Sequence, residues 1–151
     1  MSVVVKRIHP VAGAIALAMI VTFWLSTVVS ELFASDAAVI AVKRAIPWGF
    51  LVLIPALAAA GGSGFGLAKG RREGLLGAKA RRMPLIGANG VLVLVPAALF
   101  LAYKAGLHAL DGSFYAVQVA ELAAGAVNIT LLGLNLRDGL RMRARHLRPA
   151  G

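Results

Sequence analysis

The chain has 151 residues, 60% of them apolar, with a mean hydropathy of +0.83 and a net charge of +10. That length fits one domain. The charge sits in short clusters between long apolar runs, a pattern of membrane spans with basic loops rather than of a nucleic-acid-binding surface. With no cysteine, disulfides, thiolate zinc sites and cysteine nucleophiles are excluded.

About 20 mainly apolar residues are needed for a helix to cross the hydrocarbon core. Four segments meet that length, at about residues 8–33, 40–66, 84–105 and 113–136. The first follows Lys6 and Arg7 and is too long for the apolar region of a signal peptide, so it reads as a retained span. Ser35 and Asp36 are candidate caps for the second helix, whose start falls anywhere from Ala37 to Ala45. Pro47 and Pro55 predict a kink in it, and it is expected to lose definition at Gly61-Gly62-Ser63-Gly64. Pro84 suits the first turn of the third helix, and Pro96 predicts a bend in its middle. Ser113 is the expected cap of the fourth. Open strands cannot cross lipid with unsatisfied edge amides, and a barrel would need shorter, alternating segments. The expected fold is therefore all-α, a single four-helix transmembrane bundle with up-down-up-down connections.

Orientation follows from the basic residues. Lys6 and Arg7 precede the first span. Lys69, Arg71, Arg72, Lys79, Arg81 and Arg82 lie in the 68–83 loop, and Arg137, Arg141, Arg143, Arg145 and Arg148 lie in the 137–151 tail. Only Lys43, Arg44 and Lys104 fall on the other side. The positive-inside rule then places both termini and the middle loop in the cytoplasm, in a cell's inner membrane. The basic loops are expected to lie against anionic headgroups.

Polar side chains inside such spans are costly and therefore informative. On the fourth helix Gln118, Glu121, Gly125, Asn128, Leu132 and Asn135 recur at spacings of three and four, which makes one stripe facing the bundle interior. On the first helix His9, Gly13, Ala16, Ile20, Thr27 and Glu31 share a face. Two polar clusters follow. The outer one holds Glu31, Gln118 and Glu121, with Lys43, Arg44, Lys104 and His108 in reach. It reads as an ion pair of Glu121 with Arg44 or Lys104, or else as a proton, cation or Glu/Glu/His metal site. The inner cluster holds His9, Asn89, Asn128 and Asn135 near Met83. It reads as interhelical hydrogen bonding, or else as a b-type haem site. In the haem reading His9 and Met83 are axial ligands, Gly61, Gly62 and Gly64 admit the macrocycle, and Arg81 or Arg82 pairs with its propionates.

The Gly61–Gly66 run lacks the lysine and hydroxyl of a phosphate-binding loop, and Ser26 and Ser30 have no histidine base at their depth. The leading expectation is a non-enzymatic accessory subunit or binding module, with a membrane-protein partner or self-association. The alternatives are a haem-carrying redox protein using His9 and a small proton- or cation-coupled transporter using Glu121.

Overall fold

A computed structural model describes residues 3–67 and 74–146, with side chains from 8 to 63 and from 81 to 142. Lys69, Arg71, Arg72 and Arg148 of the basic segments lie outside the described residues, as do the side chains of Lys6, Arg7, Lys79, Arg143 and Arg145. The described residues form helices α1 (Val3–Phe33), α2 (Asp36–Leu67), α3 (Gly74–Asn89), α4 (Val95–Gly106) and α5 (Gly112–His146). A five-residue π turn, Gly90–Leu94, joins α3 to α4 into one rod. Four stretches are long and apolar enough to cross a membrane: Ile8–Phe33, Asp36–Ser63, Arg81–Gly106 and Gly112–Met142.

Cross-helix bonds fix the arrangement. Thr27 meets Lys43 and His9 meets Ala60, so α1 and α2 are antiparallel. Trp24 meets Leu122 and Glu31 meets Gln118, so α1 and α5 are antiparallel as well. Arg82 meets Asp138 and Asn89 meets Asn128, which sets the third rod against α5 in the same way. The four rods thus close a ring with alternating directions. One core cluster, Ala16, Ile20, Leu53, Ile86 and Leu132, fills the middle and the end that carries Arg82. A second, Val39, Leu101, Ala105 and Phe114, fills the end that carries Asp111.

Local chemistry moves several boundaries from where the sequence put them. The second helix starts at Asp36, with the Ala38 and Val39 amides donating to the Ser35 carbonyl at 2.9 and 3.1 Å. It continues through Gly61-Gly62-Ser63-Gly64 to Leu67 instead of fading there. Ser63 supports that stretch by returning its hydroxyl to the Ala59 carbonyl at 2.5 Å. Pro84 lies well inside α3, because the helix extends back through the straight-chain residues Lys79, Arg81 and Arg82, all good helix formers. Asp111 caps α5 in place of Ser113. Its Oδ1 accepts from the Ser113 and Phe114 amides, each at 3.1 Å, and from the Ser113 hydroxyl at 2.6 Å.

The turn before that cap is also specified. The His108 amide donates to Ala105 at 3.0 Å and the Ala109 amide to Lys104 at 3.0 Å, the paired bonds of a Schellman ending. His108 occupies the left-handed position with φ 54°, where glycine is more usual.

Candidate functional site: a buried ion pair and its carboxylate neighbour

The site is set by three helices near the Asp111 end of the bundle. On α2, Val39, Lys43, Ile46, Leu53 and Ala60 are buried, at spacings that repeat every three, four or seven residues. This is the inward stripe of a helix, and Lys43 sits on it about 10 Å from the helix start by the axial rise. Arg44 is one step, or about 100°, round the helix and is exposed. Lys43 is only 1% exposed.

A buried ammonium needs partners for its charge and its protons. Lys43 Nζ donates to Glu121 Oε2 at 2.5 Å and to Thr27 Oγ1 at 3.1 Å. The pair joins α2 to α5, and Thr27 ties it to α1. One turn nearer the Asp111 end, Gln118 Nε2 donates to Glu31 Oε1 at 2.7 Å, joining α5 to α1 again. Gln118 is 4% exposed, and its Oε1 accepts no hydrogen bond among the described residues. Two carboxylates thus lie one helical turn apart, Glu121 on the Lys43 ammonium and Glu31 on the Gln118 amide, beside a buried carbonyl oxygen without a donor among the described residues.

Towards the middle of the bundle, Glu121 borders a cavity of about 50 Å³. Its other walls include Ile20, Phe23, Trp24, Phe50 and Gly125. Trp24 lies against this space because its indole N–H donates to the Leu122 carbonyl at 2.9 Å. Gly125 leaves room for the ring, since a Cβ there would stand 3.0 Å from Trp24 Cδ1.

The remaining candidates of the outer cluster lie apart from this site. Lys104 pairs with Asp111 at the helix–loop junction. His108 is exposed in the turn. Arg44 faces outward, so the partner of Glu121 is Lys43 rather than Arg44 or Lys104. Among the described residues no three His, Asp or Glu side chains stand together as a metal-ligand group.

The inner candidates divide into separate sets. Asn89 Nδ2 donates to Asn128 Oδ1 and to the Ala124 carbonyl, each at 2.9 Å. Asn128 Nδ2 donates to the Ile86 carbonyl at 3.4 Å. Asn135 stands between Arg82 and Met83, accepting from the first and donating to the sulfur of the second, each at 3.4 Å. His9 instead belongs to the α1–α2 seam, its Nδ1 being 3.0 Å from both the Ala60 carbonyl and Ser63 Oγ. A carbonyl only accepts, so Nδ1 carries the ring proton there. His9 therefore bonds to α2 and Met83 to α5. A Cβ added at Gly61 or Gly62 would meet nothing within 4 Å.

Asp138 is a buried acid that belongs to neither of the two expected clusters. It is 1% exposed and accepts from Arg82 at 2.7 Å and from Arg137 at 3.5 Å. Its position continues the spacing of three and four from Gln118 through Asn135, and that signal was available in the sequence. No family model matches the chain, and no curated protein or solved structure shows significant similarity to it.

Proposed function

We propose that this chain is a multi-pass, non-enzymatic membrane module that binds a proton or a small cation at the Glu31, Gln118, Lys43 and Glu121 cluster. The observation that carries this reading is the charge count. Glu121 is bonded to Lys43, while Glu31, one turn away on Gln118, has no ion-pair partner among the described residues, within helices apolar enough to cross a bilayer. An ion pair that served only to lock helix register would need one carboxylate for one ammonium. A second, half-buried carboxylate at the end of α1 is therefore left free to take a proton or a cation.

The asymmetry of the basic residues supports an orientation with the Arg82 end in the cytoplasm, and we take the membrane to be a cell's inner one. The site then opens towards the opposite face, near Glu31. Because the chain has no native cysteine, single cysteines at His108 and Met142 can be labelled from either side to check that orientation.

Infrared difference spectra of the detergent-purified full chain test the binding role. A pH step, or the addition of sodium, potassium or ammonium, is expected to shift carboxylate bands that disappear in Glu31→Gln and Glu121→Gln. Spectra with no carboxylate response to any of these probes would leave the cluster a purely structural contact and end this reading.

A further inference from the structure

We infer that the cluster's ligand is a single alkali-metal cation, held between the Glu31 carboxylate and the Gln118 carbonyl oxygen; this rests on the binding role proposed above. The orientation of the Gln118 amide is dictated by its neighbour. A carboxylate can only accept, so Nε2 must face Glu31, and Oε1 is the atom left over. A carbonyl oxygen that is buried without a donor costs free energy unless a cation or a donor reaches it. It lies on the same planar group whose nitrogen is 2.7 Å from Glu31. A hard cation bridging the two oxygens would satisfy both at once.

Charge gives the valence. Glu31, Glu121 and Lys43 sum to one negative charge, which one monovalent ion neutralises while the Lys43–Glu121 bond stays made. A divalent ion would leave the buried cluster positive, and the third acidic or imidazole ligand it would favour is absent among the described residues. Of the other titratable groups at this end, Asp36 and Arg44 of α2, Tyr115 of α5 and His108 of the turn are exposed, and Lys104 is paired with Asp111. Glu31 is half-buried, so water can complete the ion's coordination.

Equilibrium binding of radioactive sodium to the purified full chain, with choline holding ionic strength constant, decides the matter. One saturable site per chain is expected, with protons competing for it. Glu31→Gln should abolish that site. Gln118→Met, which keeps the volume but removes the oxygen, should weaken it at least about tenfold. Thr130→Val, at an exposed position, should leave it unchanged. If Glu31→Gln fails to fold, Gln118→Met still decides. Absence of saturable sodium binding, or binding equal in the native chain and Gln118→Met, overturns the inference. Carboxylate bands that answer to protons but not to sodium would overturn it too, while leaving the broader binding role standing. Bands that answer to nothing would remove both.

Discussion

Lys43 and Glu121 are separated by 78 positions in the chain, yet their charged atoms meet at 2.5 Å, with side chains 1% and 12% exposed. The bond links α2 directly to α5 across the ring, and Thr27 of α1 shares the same ammonium. Removing one partner leaves the other charge buried and alone. Lys43→Met or Glu121→Leu is therefore expected to destabilise the bundle by about 3–5 kcal/mol. The double variant should cost less than either single one, because neither Lys43 nor Glu121 is then left without the other. Unfolding of detergent-solubilised protein, read as a double-mutant cycle, measures this; additive costs would show that the pair is not coupled.

Two glycines act as seats for aromatic rings. A Cβ on Gly49 would stand 2.2 Å from Phe23 Cζ, and Phe23 is held edge-on to Phe50 with ring centres 6.3 Å apart. Gly125 faces Trp24, which cannot slide away without giving up its bond to Leu122. Gly49→Ala and Gly125→Ala are each expected to lower stability by about 1–3 kcal/mol. Phe23→Leu should restore much of the Gly49→Ala loss. Gly87→Ala, which meets open space, should be neutral or stabilising by up to about 1 kcal/mol from helix propensity. Thermal unfolding in one detergent ranks all four.

Asp111 gives the bundle an acid-sensitive corner outside the long apolar stretches. Its bond from Lys104 holds the carboxyl well below the usual carboxylate range, helped by the Ser113 hydroxyl and the Phe114 amide. A depressed value in the fold means that the carboxylate stabilises at neutral pH, above its unfolded pKa. That contribution is lost as pH falls below about 4 towards the folded value. Asp111→Ala should therefore be less stable than the native chain at pH 7, and the gap should narrow as the medium is acidified. A gap that stays constant with pH would mean that capping alone, without charge, is at work.

Much of this was readable from the residues. The four helices announced themselves by length and apolarity, because a span must be both. The α5 stripe was readable because polar residues at intervals of three and four stand out against Ala, Val and Leu, and Gln118, Asn128 and Asn135 are buried in the structure. The choice between Lys43 and Arg44 was harder. The two are adjacent and both basic, and only the phase of α2 separates them. That phase was written in Val39, Ile46 and Leu53, whereas two prolines and an uncertain helix start obscured it. Partnerships such as His9 with Ser63, or Trp24 with Leu122, depend on which neighbour each face meets. Periodicity along one helix does not carry that information.

The π turn at Gly90–Leu94 has a consequence for how the third rod divides its loyalties. Its extra residue, closed by the Val95 amide on the Gly90 carbonyl, rotates everything downstream by about 100° relative to an unbroken helix. Pro96 follows at once and could not have supplied the regular bond there. Upstream of the turn, Arg82 and Asn89 address α5; downstream, Leu101 and Ala105 also reach Val39 of α2, in a cluster shared with Phe114 of α5. A single surplus residue thus lets one strut brace two walls of the ring. Excising it would leave the helix continuous but would turn one of those two halves away from its wall.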